Sequence, residues 1–231
     1  MLKERRTCVL AFTVRSPKLF QNHPFPTSYP PQETIPQKTL IHSITDISRK
    51  PIAARGVLLD YRAWATPNSI AYSAFSTHRI TLPNLLACAE SQGTTFQPGD
   101  ILLIRSGWME DYLHLSAEQQ DALGLRSQRD FVGVENTYSM AKWHWDMQFA
   151  AAAGDTNAYE AWPPTIRSSG VSAASDGNDH GNRGQGDGED DGLGFALHEV
   201  FLAGWGMPIG EVWNLEELAR KCRERGIWSF F

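Results

Sequence analysis

Cysteine is scarce in this 231-residue chain: Cys8, Cys88 and Cys222 are scattered, odd in number and without Cys-x-x-Cys spacing. Such a set excludes a disulfide framework and fits a reducing compartment. A strong excess of one charge is lacking too. The formal net charge of -5 and a pI near 5.8 offer no basic surface for nucleic acid. No apolar run reaches membrane-spanning length, and Cys8 to Val14, behind Lys3, Glu4, Arg5 and Arg6, is too short and mixed for a signal peptide. The expectation is a cytoplasmic protein with no nucleic-acid or membrane partner. Also missing are a Gly-x-Ser-x-Gly elbow and a phosphate-binding loop, so a serine hydrolase or nucleotide-binding enzyme lacks its motif.

What is present suits a globular chain, 42% apolar and 20% charged, long enough for one domain with a sizeable core. Seven of the thirteen prolines fall between Ser16 and Pro51, a density that cannot sustain regular structure. Residues 1–54 are therefore expected to be a Pro-rich, disordered arm and 55–231 the folded domain. That domain is interrupted at 168–194 by a low-complexity insertion holding eight of the nineteen glycines and an acidic run, which cannot bury enough surface to order itself. Within it, Asp176-Gly-Asn178-Asp-His180-Gly181 imitates a calcium loop but carries Asp187 where the twelfth-position glutamate belongs.

The folded part predicts an α/β class. Gly56 to Tyr61, Ile101 to Ile104 and Phe149 to Asp155 read as short buried strands, the first ending so as to expose Asp60, Arg62 and Trp64. Leu82 to Glu90 has a proline in its first turn and a stop at Gly93, as a helix would. Ser116 with Gln119 predicts a capping box, and Ser139 the cap of a helix holding Trp143 and His144. Asp155 and Asn157 should lie at an exposed strand end, where α/β proteins tend to place their sites, although a simple turn acid accounts for Asp155 as well. His144 beside tryptophans reads as a packing residue, and His78 and His114 as facing water.

The stretch Phe195 to Cys222 brings the candidate chemistry. Apolar residues around His198 predict a buried helix turn ended by Gly204 and Gly206, and Met207-Pro208-Ile209-Gly210 then delivers Glu211. Asn214 with Glu217 suggests a capping box for the next helix. An imidazole nitrogen and a carboxylate oxygen suit a divalent metal such as zinc or manganese.

Four segments occur in order: Arg55-Gly-Val-Leu-Leu-Asp60, Gln97-Pro-Gly-Asp-Ile-Leu-Leu-Ile-Arg-Ser-Gly-Trp108, Phe149-Ala-Ala-Ala-Ala-Gly-Asp155 through Trp162, and Leu197-His198-Glu through Glu211. Together they resemble the cyclase family of metal-dependent hydrolases, which takes in kynurenine formamidase and isatin hydrolase, most closely its fungal branch. The resemblance implies a swivelling β/β/α domain, a homo-oligomer, and zinc or manganese held by His198 and Glu211. It also implies hydrolysis of a C–N bond, amide or formamide, as in arylformamidases acting on N-formylkynurenine in tryptophan catabolism. The family's His-x-Gly-Thr-His-x-Asp motif has no counterpart upstream of Arg55, where His23 and His42 stand alone, and the family's C-terminal continuation is not seen after Phe231. The expected fold is thus incomplete and the metal site half present. An inactive cyclase-family scaffold, binding a small molecule or an intact paralogue, is the alternative, and no catalytic acid or base is assigned.

Overall fold

The computed structural model describes residues 51–127, 129–164, 193 and 195–231. The expectations for the arm (1–54) up to residue 50, and for the insertion (168–194) except Leu193, lie outside the described residues. Leu193 is buried in the main core.

From its first strand, β1 (Gly56–Leu59), the chain turns at Asp60 into the short helix α1 (Tyr61–Ala65). Strand β2 (Arg79–Ile80) leads into α2 (Leu82–Ser91), where Thr81 caps the amides, Pro83 occupies the first turn and Gly93 adopts a positive φ just beyond the end. Strand β3 (Ile101–Ile104) is followed by α3 (Trp108–Leu113) and α4 (Ala117–Gly124), the latter opened by the predicted Ser116–Gln119 capping box. Next come β4 (Gly133–Val134), α5 (Tyr138–Asp146) and β5 (Ala151–Gly154). A π-helix (Glu199–Trp205) then leads through β6 (Ile209–Gly210) to α6 (Glu216–Arg225) and β7 (Ser229–Phe230).

Five strands form one sheet in the order β6-β5-β3-β1-β7, parallel except for β7, and β2 pairs with β4 in a small parallel sheet. Side chains alternate across the main sheet with the two-residue period of a strand. Leu59, Leu102, Ile104 and Ala152 enter the larger core with α2, α5 and the π-helix, whereas Leu58, Leu103 and Ala153 pack with Leu215, Ala219 and Cys222 around α6. Leu103 pairs in register with Ala153 and Ala153 with Gly210, a row that shrinks toward the sheet edge. Trp213 lies close over its small end, for a Cβ on Gly210 would stand 2.7 Å from the Trp213 indole nitrogen. The small side chains of this region thus admit a closely packed layer.

Two helix starts differ from the sequence expectation. Thr137, not Ser139, caps α5: its hydroxyl accepts from the Met140 amide at 3.3 Å, and Ser139 lies inside the helix. Helix α6 begins without the reciprocal box expected of Asn214 and Glu217. Asn214 accepts instead from the Glu216 amide at 3.3 Å, while Glu217 turns outward to Arg220.

Candidate metal centre

Because β1, β3, β5 and β6 run parallel, the residue after each arrives at the same edge of the sheet: Asp60, Arg105, Asp155 and Glu211. Carboxyl ends of parallel strands are where α/β proteins place their chemistry. Three of the four are consumed internally. Arg105 is buried and donates to Asp60 at 2.8 Å and to Glu110 and Glu216 at 2.6 Å each. Burial opposes its charge, but Glu216 and Asp60 outweigh that and raise its pKa. Asp60 also receives Arg223 and caps α1 through the Ala63 amide, so it is buried rather than exposed as expected.

Asp155 is likewise buried, against the expectation of an exposed strand end. Its two oxygens accept from the Ser106 amide and hydroxyl at 2.8 and 2.7 Å and from the Gly107 amide at 2.8 Å. Burial pushes its pKa up while these donors pull it down, and burial prevails. This is the turn-acid role: Asp155 staples the end of β5 to the end of β3. Asn157 is exposed.

Glu211 is different. It meets His198, whose Nε2 lies 2.7 Å from the Glu211 carboxylate. The two residues predicted as metal ligands therefore come together, His198 from the entry to the π-helix and Glu211 from the end of β6. Gly206 reverses the chain between them with a φ of 68°, as its place after a helix requires. Val212, directly after Glu211, is also left-handed at φ 57°, a strained setting for a β-branched residue, and its amide donates to the Thr156 carbonyl at 2.9 Å. The backbone at Glu211 is thus anchored to the loop that follows β5.

The other imidazole nitrogen brings in a residue not singled out from the sequence. Nδ1 of His198 lies 2.5 Å from the carboxylate of Glu160, which is wholly buried and also accepts from the His198 amide at 3.4 Å. Burial would lower the His198 pKa, but the hydrogen bonds that the ring donates to Glu160 and Glu211 more than offset it and raise it to about 10. Glu160 reaches this position through a bridge from its own backbone to Val134 at the end of β4. The available sequence signal was an acid flanked by Ala158, Tyr159, Ala161 and Trp162: a carboxylate in so apolar a run, once buried, needs a partner.

His198 Nε2 and Glu211 stand 2.7 Å apart, bonded to each other, and a nitrogen and an oxygen are donors of the kind that zinc or manganese takes. They fill two ligand places. Among the described residues no group of three or more His, Cys, Asp or Glu is arranged to hold a metal ion. Among the described residues, the other histidines have different surroundings. His144 is buried, with Nδ1 against the Met140 carbonyl and Nε2 against the Tyr159 hydroxyl at 2.8 Å each, which is the packing role expected. His78 does not simply face water as predicted: it bonds the Tyr61 hydroxyl at 3.0 Å and stacks on Tyr72. His114 is exposed. No described helix is long and apolar enough to cross a membrane.

Comparison with known proteins bears on the fold and its lineage. The search of curated proteins gives no match. Among solved structures, the chain is similar to the crystal structure of a novel cyclase, with 26% identity over 77% of this chain and 46% of that one and a TM-score of 0.55. It is also similar to isatin hydrolase A from Ralstonia solanacearum, with 15% identity over 73% of this chain and 50% of that one and a TM-score of 0.44. The chain spans about half the length of these two structures. A family model described as "Putative cyclase" matches residues 28–161, a stretch that includes Glu160 and ends before His198 and Glu211. Since that match takes in more than half of the sequence, and the α/β architecture is that of the first solved structure, the chain belongs to the cyclase family.

Proposed function

We propose that this chain is a hydrolase that opens a C–N bond, amide or formamide, in a small molecule, in the manner of an arylformamidase, with a divalent cation held by His198 and Glu211. The observation that carries the reading is the setting of His198: one ring nitrogen is braced by a buried carboxylate while the other faces a second carboxylate at the edge of the sheet. A bound zinc or manganese ion would supply hydroxide near neutral pH and polarise the substrate carbonyl. His198 Nε2 and Glu211 would hold that ion, and Val212 keeps the Glu211 backbone in place through its bond to Thr156. Further ligands would come from outside the described residues or from another subunit, since a catalytic zinc takes three protein ligands.

A second reading rests on the ligand count among the described residues. With two donors in place, the chain would act as a scaffold that binds a small molecule or an intact paralogue without turnover. Metal analysis of purified protein, with N-formylkynurenine as substrate, separates the two. The hydrolase reading expects about one zinc or manganese per chain, consistent with a single site, and turnover that chelator abolishes and His198→Ala removes. Metal-free protein without turnover would leave the scaffold.

A further inference from the structure

Two carboxylates touch His198, and a cation could enter between its ring and one of them. We infer that Glu160 is the positioning residue of this site, fixing the ring of His198 and keeping its proton on Nδ1, so that Nε2 alone faces a cation beside Glu211. The inference rests on the metal reading above for its consequence, though not for its geometry.

Three observations point the same way. The side chain of Glu160 is 1% exposed, against 15% for Glu211 and 24% for His198, so the open side of the imidazole is the Nε2 side. Glu160 spends both oxygens on the same residue, Oε2 on Nδ1 at 2.5 Å and Oε1 on the His198 amide at 3.4 Å. It therefore braces ring and backbone together and presents no oxygen toward Nε2. Finally, Glu160 is held by main chain on both sides, with the Val134 amide donating to the Tyr159 carbonyl at 3.1 Å and the Ala161 amide to the Val134 carbonyl at 2.9 Å. A carboxylate whose main chain is so held, and whose two oxygens both bond His198, is placed to orient that ligand. Outer partners of ligating histidines act in this way by fixing tautomer and orientation, and they raise ligand basicity.

The test compares wild type with Glu160→Gln, Glu160→Ala and Glu211→Gln by zinc titration and by proton–nitrogen NMR of histidine-labelled protein. Glu160→Gln, which keeps shape, should still take up one zinc per chain but bind it about 10- to 100-fold more weakly, whereas Glu211→Gln should lose stoichiometric binding. In zinc-loaded wild type the His198 proton should sit on Nδ1. Metal-free protein gives an independent readout: a downfield Nδ1–H resonance should persist in Glu211→Gln and vanish in Glu160→Ala. If wild type takes up no zinc but this resonance pattern holds, the hydrolase reading fails and the positioning role stands. A metal on Nδ1, or a resonance that depends on Glu211 instead, would overturn the inference.

Discussion

Replacing Gly133 by alanine tests how the fold places Glu160. Gly133 pairs with Arg79 of β2, and its neighbour Val134 bridges to Glu160, so strand β4 is squeezed between two partners. A Cβ at this position would stand 2.3 Å from the Glu160 carbonyl carbon, 2.4 Å from the Ala161 nitrogen and 2.6 Å from the Glu160 oxygen. All three obstacles are main chain, which no rotamer change can move. Ordinary contact begins near 3.4 Å, so the chains must part by about 1.1 Å. Overpacking a core costs about 1–3 kcal/mol, and a backbone obstacle puts this variant at ~3 kcal/mol. For a domain of this size that is a fall of roughly 6–12 °C in Tm, at about 2–4 °C per kcal/mol. The same displacement would draw Glu160 off His198, so zinc binding should weaken with stability. The control is Gly124→Ala at the end of α4, where the backbone is not left-handed and nothing stands within 4 Å. That change should raise stability by about 0.4–1 kcal/mol. Thermal and urea denaturation with parallel zinc titration reads both. A Gly133→Ala protein melting within ~2 °C of wild type, with unaltered zinc binding, would refute the argument.

Two further outcomes follow from the buried charges. Arg105→Ala leaves the buried Asp60 with Arg223 as its remaining cation among the described residues, and urea denaturation should show a loss of about 3–5 kcal/mol, while a loss below ~1 kcal/mol would deny the cluster its structural role. His144 is held down to about 4 by burial, against the opposing pull of the Met140 carbonyl. Below its ordinary pKa of about 6.5 the unfolded chain takes up a proton that the folded chain refuses. Stability from this group is therefore complete above about pH 6.5 and is lost as pH falls to about 4, by on the order of 3 kcal/mol. His144→Gln should flatten that slope in urea midpoints measured from pH 7 to 4, and equal slopes in the two proteins would contradict it.

The strands of the central sheet were readable because each is a short apolar run closed by a polar residue, and α2 because Thr81, Pro83 and Gly93 mark its ends. The edge strands β6 and β7 were not, since two residues carry no period. The approach of His198 to Glu211 was legible because they are thirteen positions apart across a glycine turn. Glu160 was not, because its role depends on contacts 26 residues upstream in β4 and 38 residues downstream at His198. The burial of Asp60 and Asp155 was misread for the same reason. An acid after a strand looks solvated until Arg105, Arg223 or Ser106, each at least 45 residues away, arrives to meet it.

The sheet edge thus sorts its carboxylates by the kind of donor that meets them. Asp60 faces guanidinium groups, which are never deprotonated in proteins and present no lone pair, so that pairing is closed to a cation. Asp155 faces backbone amides and a hydroxyl, which fix a loop and offer no charge to exchange. Glu211 faces an imidazole, the one partner of the three that can surrender a proton and offer a lone pair in its place. Glu160 on the far nitrogen leaves Nε2 as the place where that exchange would occur. A cation at this edge would therefore enter between His198 and Glu211, because Asp60 is closed by guanidinium groups and both oxygens of the buried Asp155 are already taken by the Ser106 and Gly107 amides.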